Sequence, residues 1–320
     1  MVMSIYMAHQ SSNDKTEKQT AEKMTAPSLS AQLPSRLVVI LGCLSILASA
    51  VFFYISTVFI RWAEAEVVID ASFFVFFRFL MGFFVIGAIL ILQRRGLKPR
   101  RYDLLIGRTI FNCIAVYCFY RAVTATSVAE ANILNMTYPI FLAVASWFIL
   151  KEQRDVVAIV MVVVAFAGIW LILSPGSISP NLQNLWGLAS GVTASLAILY
   201  LNVSRQFHDT ETILFYMFGL GSVLIFAFFY DQIFWPDLAE FKYLFLCAVF
   251  GVGGQYLLTI GFRYVTAVEG AILSSARILM AAVLGPWIAL DPPLEVAGWI
   301  GAMLIFLANV VLAVRKTTKT

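Results

Sequence analysis

Residues 127–150, SVAEANILNMTYPIFLAVASWFIL, follow a tight polar break at Arg121, Thr124 and Thr126 and run apolar to Leu150. Their length is about the twenty residues that an α-helix needs to cross a hydrocarbon core of ~30 Å. Residues 103–121 before the break are equally apolar. A single helix over both would overshoot any bilayer, so a helical hairpin is the better reading. The same form recurs at 241–290, interrupted between Arg263 and Ala267.

Working outward, ten apolar runs of this kind fill the chain: 37–59, 72–92, 103–121, 127–150, 156–173, 184–204, 212–230, 241–263, 267–290 and 295–314. In lipid every backbone N–H and C=O must be satisfied within its own segment, so such runs are helices. The 320-residue composition agrees, with 61% hydrophobic and 12% charged residues and a mean hydropathy of +0.88. An ordinary soluble domain carries about 25% charged residues. A net charge of +4 is too small and dispersed for a nucleic-acid-binding surface. Residues 1–36 are polar and read as a flexible cytoplasmic tail, with 315–320 as a second short one.

The basic residues set the orientation. With the N-terminus inside, sixteen Lys and Arg fall on the cytoplasmic side and only Arg61, Arg121 and Lys242 outside. Both termini are then cytoplasmic, which an even number of spans requires. Arg78, Arg108 and Arg277 remain within the spans. Arg108 lies about one turn into the third span and is expected to snorkel to the interface.

Shifting the sequence by 139 lays Val128-Ala129-Glu130-Ala131-Asn132-Ile133-Leu134 over Ala267-Val268-Glu269-Gly270-Ala271-Ile272-Leu273, with three of seven identical. Five spans per half is odd, so the second half crosses in the opposite sense. The expected fold is an all-α integral membrane protein of ten transmembrane helices in two inverted five-helix repeats, 37–174 and 184–314. Inverted repeats are a recurring architecture of secondary transporters, with the substrate site near the midplane.

The stretch Ala122 to Gly168, with Thr126-Ser127, mid-helix Pro139, Leu150-Lys151-Glu152 and a Val-rich span ending at Gly168, resembles the drug/metabolite transporter superfamily, EamA type. Phe77-Arg78-Phe79 and Trp186-Gly187 extend the resemblance over roughly 37–314. It implies a central cavity ringed by spans 1, 3, 4, 6, 8 and 9, export or import of a small metabolite, and frequent coupling to protons. The chain departs from the pattern at Arg277-Ile278, which matches Tyr138-Pro139 of the first half, and at Asp291-Pro292-Pro293.

An ionisable residue at mid-membrane is costly and marks a pathway by default. Arg277, ten residues into the ninth span, is the first candidate for substrate binding; Tyr138, Asn135, Ser274, Asn112, Tyr117 and Gln255 are the others. Glu130, Glu269 and Arg78 are candidates for coupling or gating, with Glu130 a candidate partner of Arg78. Gly187 and Gly191 form a GxxxG that reads first as close packing.

The four cysteines are isolated in apolar runs, and no metal, nucleotide or hydrolase motif occurs, so no cofactor and no enzyme activity are expected. The function expected is secondary active transport of a small polar metabolite, an amino acid or organic anion, by alternating access across a bacterial inner membrane. Protons as the coupling ion and association as a homodimer are further expectations. The alternative on the same fold is a flippase for a lipid-linked carrier; a membrane enzyme or receptor is disfavoured.

Overall fold

A computed structural model of the chain describes residues 35–149, 156–173, 182–265 and 267–318. The described residues contain no strand. Their α-helices are α1 (Ser35–Glu66), α2 (Ala71–Leu92), α3 (Tyr102–Ala125), α4 (Val128–Asn135), α5 (Tyr138–Ile149) and α6 (Val156–Leu173), followed by α7 (Leu185–Ser204), α8 (Thr210–Phe229), α9 (Leu238–Tyr264), α10 (Ala267–Leu284) and α11 (Val296–Thr318). A π-helical turn, Gly285–Ala289, continues α10. Seven segments are long and apolar enough to cross a membrane; the shorter apolar helices are Val160–Ile172, Leu273–Ala289 and Val296–Val311. The chain is an integral membrane protein.

Side chains rather than hydropathy set the helix starts. Asp70 accepts from the Ser72 amide at 2.8 Å to open α2, Ser127 accepts from the Glu130 amide at 3.1 Å to open α4, and Asp237 and Glu240 form a reciprocal capping box on α9. The ends differ from the apolar runs for the same reason. Nothing breaks α1 where its apolar stretch stops at residue 59, so it continues to Glu66 and carries Arg61, assigned above to a connection, on its last turns. At the C-terminus α11 runs on to Thr318, so most of the expected tail is helical. The rest of that tail, the N-terminal tail up to residue 34 and the connections 150–155 and 174–181 lie outside the described residues.

The span expected over 127–150 is two helices. Pro139 has no N–H to give and its ring opposes a preceding α-conformation, so the ladder breaks at Met136 and Thr137. Freed carbonyls in lipid need other donors. Asn309 of α11 donates its Nδ2 to the Met136 carbonyl at 2.9 Å, and the Thr137 hydroxyl donates to the Leu134 carbonyl at 2.6 Å. Gly191 of α7 permits this close approach, because a Cβ there would stand 2.9 Å from the Leu134 carbonyl oxygen; one on Gly187 would stand 2.9 Å from the Leu134 Cβ. The GxxxG pair is a packing surface.

Packing is pairwise and regular: α1 on α9, α3 on α7, α6 on α11, α2 on α8 and on α9, α8 on α3, and α10 on α1, α4 and α11. Phe79 and Phe218 meet edge-on, 5.7 Å between centroids, where α2 crosses α8. This arrangement leaves a central space lined by α1, α2, α3, α4, α5, α7, α9 and α10.

Candidate functional site

The central space is a cavity of about 90 Å³, and its charged lining is three arginines: Arg78 from α2, Arg108 from α3 and Arg277 from α10. Asn112, Asn135, Tyr138, Gln255 and Ser274 add polar groups, while Ser49, Phe53, Phe119 and Ala197 complete the wall. Among the described residues no acidic side chain lines it.

Helical spacing delivers these side chains. On α3, Arg108, Asn112, Ala115, Val116 and Phe119 follow the i, i+4, i+7, i+8, i+11 pattern of one face. Asn135 is the last residue of α4 and Tyr138 the first of α5, so the break at Met136 and Thr137 turns both toward the cavity.

Arg277, 4% exposed, hydrogen-bonds through a terminal guanidinium nitrogen to the Asn135 Oδ1. Asn135 in turn donates its Nδ2 to the Ser190 hydroxyl of α7 at 2.6 Å. The Arg277 guanidinium also lies over Phe119 and Phe53, 5.2 and 5.6 Å from the ring centroids. Arg78, 2% exposed, donates to the Tyr120 hydroxyl at 2.9 Å and lies 5.3 Å from the Phe53 centroid. The Tyr120 hydroxyl lies 3.1 Å from that of Ser56, which donates to the Cys247 carbonyl at 2.9 Å. Gly251 clears the space for Arg78, since a Cβ there would stand 2.8 Å from the arginine Cδ.

The candidate Arg78–Glu130 pair does not form. Arg78 points to Tyr120, whereas Glu130 sits beside its own helix cap on Ser127. Nor does Arg108 snorkel: it is 2% exposed and faces the cavity, because the bundle surrounds its helix at that depth. Tyr117 is outside the cavity wall; its ring stacks on Phe229 at 4.8 Å and meets Trp186 edge-on. The side chain of Glu269 lies outside the described residues.

The electrostatics are one-sided. A guanidinium keeps its charge when buried, and the penalty for burial is several kcal/mol per ion. Cation–π contacts return about 0.5–2 kcal/mol each, and a hydrogen bond to a charged group about 1.5–3 kcal/mol. Among the described residues the ion pairs are Arg61–Glu64, Arg61–Asp291, Arg101–Asp103 and Arg121–Asp70, none of which reaches the cavity. The Nε atoms of Arg78, Arg108 and Arg277 are buried without a hydrogen-bond partner.

One end of the bundle is tied shut. The Asp291 side chain, fully buried, lies 2.9 Å from the Arg61 Nε and accepts the Val128 amide at 2.7 Å, joining α1, the segment after α10 and the start of α4. Burial pushes the Asp291 carboxyl up from its ordinary pKa, against the opposing pull of Arg61. Trp62 donates its Nε1 to the Ile288 carbonyl at 2.8 Å, in the π-helical turn that ends at the left-handed Leu290, φ 57°. Sequence reasoning noted Asp291 only as a departure from a pattern and missed this clasp. At the other end His208 accepts the Arg100 and Arg101 amides on Nε2 at 3.0 and 3.1 Å, with Nδ1 3.0 Å from the Ser204 carbonyl. The imidazole is therefore neutral with its proton on Nδ1, and burial lowers its pKa.

A helical membrane protein built around a central cavity lined by three buried arginines has the form of a solute transporter. The EamA-like transporter family model matches the chain twice, over residues 40–174 and 181–314, and the chain belongs to that family. It is similar to an uncharacterized transporter of Helicobacter pylori, 25% identical over 68% of this chain and 76% of the relative. It also resembles the pseudopaline exporter CntI of Pseudomonas aeruginosa, 25% identical over 78% and 88%, and solute carrier family 35 member G1 of Mus musculus, 24% identical over 75% and 70%. A solved crystal structure aligns with a TM-score of 0.58 at 18% identity, covering 86% of this chain and 98% of the other, a likeness of fold. The protein is a membrane transporter of EamA type.

Proposed function

We propose that the protein is a secondary transporter that moves a small organic anion by alternating access, with the central cavity as its substrate site. The observation that carries this is Arg277, buried at mid-helix, held by Asn135 and facing a cavity with no carboxylate among the described residues. Buried charge of one sign without a counter-charge is what an anion site presents before its ligand arrives.

Several features support two inverted repeats within ten crossings. The family model matches each half separately. If the halves are exchanged, α1 against α9 becomes α7 against α3, α2 against α9 becomes α8 against α3, and the α2–α8 and α6–α11 pairs map onto themselves. With the cytoplasmic orientation given by the basic residues, the Asp291 clasp closes the external end. The cavity then belongs to an inward-facing or occluded state, and its opening outward requires release of the clasp. Glu130 sits at that end and is the coupling group if protons drive transport.

Counterflow in proteoliposomes tests the proposal, with panels of anionic, neutral and cationic solutes. Exchange is expected for anions, and a pH gradient of the correct sign should drive accumulation if protons are coupled. Exchange confined to cations or neutral solutes would contradict the assignment.

A further inference from the structure

The cavity carries more positive charge than one carboxylate can neutralise, and this bears on the identity of the transported anion. We infer that the substrate is a polycarboxylate, a small molecule with at least two separated carboxylate groups. The inference rests on the reading of the cavity as the transport site and narrows its substrate class.

Three observations support it. Arg78, Arg108 and Arg277 arrive from three different helices, each no more than 4% exposed, and no described residue forms an ion pair with any of them. Each retains a buried Nε without a hydrogen-bond partner, and the Asn112 Nδ2 and Gln255 Nε2 on the same wall are also unpartnered. Apart from the Ser274 hydroxyl, which can donate or accept, the unmet groups on this wall are donors. Amide orientation does not change this, because a guanidinium has donors only.

The charge count then favours two anionic groups over one, and the spacing is within reach of a short molecule. The guanidinium carbons of Arg78 and Arg277 lie 5.3 and 5.6 Å from the Phe53 centroid and so can be no further apart than about 11 Å. A carboxylate takes one guanidinium bidentately. A monocarboxylate held by Arg277 leaves Arg78 and Arg108 uncompensated in the low-dielectric interior. A short molecule with a carboxylate at each end reaches both Arg277 and Arg78, and a further carboxylate or hydroxyl meets Arg108 and Asn112.

Calorimetric titration of the purified full-length protein provides the test, with propionate, succinate, glutarate, citrate, inorganic phosphate and putrescine as probes. The expected result is that the di- or tricarboxylates bind at least about tenfold more tightly than propionate, and that phosphate, a single compact group, does not match them. Arg78→Gln should abolish that preference, lowering dicarboxylate affinity at least about tenfold more than propionate affinity. Arg108→Met should weaken citrate binding, and because Arg108 forms no hydrogen bond or ion pair with the described residues, this variant keeps the test usable if Arg78→Gln does not fold. Equal binding of propionate and the dicarboxylates would overturn the inference while leaving the anion-transport proposal intact. Binding of putrescine alone, or of none of the anions, would overturn both.

Discussion

Arg78 and Arg277, on helices from opposite halves of the chain, share one aromatic ring: their guanidinium carbons lie 5.3 and 5.6 Å from the centroid of Phe53 on α1. Phe53 thereby offsets part of the burial cost of two like charges, which makes it the first residue to perturb. Phe53→Leu keeps the volume approximately and removes both cation–π contacts, each worth about 0.5–2 kcal/mol. Thermal unfolding in detergent should show a lower midpoint for the variant, and anion binding should restore part of the difference.

The break between α4 and α5 is held by a side chain from the other half of the molecule. Asn309→Leu removes the donor to the Met136 carbonyl and leaves it unsatisfied in an apolar surrounding, at a cost of about 1–3 kcal/mol. Because the break positions Asn135 and Tyr138, ligand affinity should fall together with stability. Calorimetry on the folded fraction separates the two effects.

The Asp291 clasp makes a different prediction, given the orientation proposed for the chain. Asp291→Asn removes the charge that holds Arg61 and weakens the acceptor for the Val128 amide. The population should shift toward an outward-open state. In a background with Cys43, Cys113, Cys118 and Cys247 replaced, Ser49→Cys reports on the cavity wall. A membrane-impermeant maleimide added outside should label that thiol faster when Asp291→Asn is present. Unchanged labelling would mean that the clasp does not govern access.

The opposite end should respond to pH through His208. Its folded pKa is lowered by burial, and its neutral form accepts two backbone amides. The unfolded chain then binds the proton more readily, so this contribution to stability is complete above the ordinary imidazole range near 6.5. It declines as pH falls below that range, through the folded pKa. A pH series of melting points should show this loss in the wild type and a smaller one in His208→Ala.

How much of this was legible in the sequence follows from what each feature depends on. Seven of the expected spans were, because lipid forces about twenty apolar residues per crossing and those segments obey. The α4–α5 break was not placed, although Pro139 was in view, because its repair depends on Asn309, far away in sequence. Six of the seven residues read as substrate-binding candidates line one cavity, whereas Tyr117 does not. It lies five residues past Asn112, about 140° around the helix. Arg108 was assigned to the interface from its depth alone; its shared face with Asn112, Val116 and Phe119 would have placed it correctly. The partners of Arg78 and Asp291 are tertiary contacts across α3 and α1, which hydrophobic periodicity does not encode.

The central claim is that Arg277 binds the transported anion. Its most direct test is exchange of a bound anion in proteoliposomes by Arg277→Ala, alongside a check that the variant is monodisperse and unfolds cooperatively. Exchange should be lost in the folded variant; exchange at the wild-type rate would contradict the account.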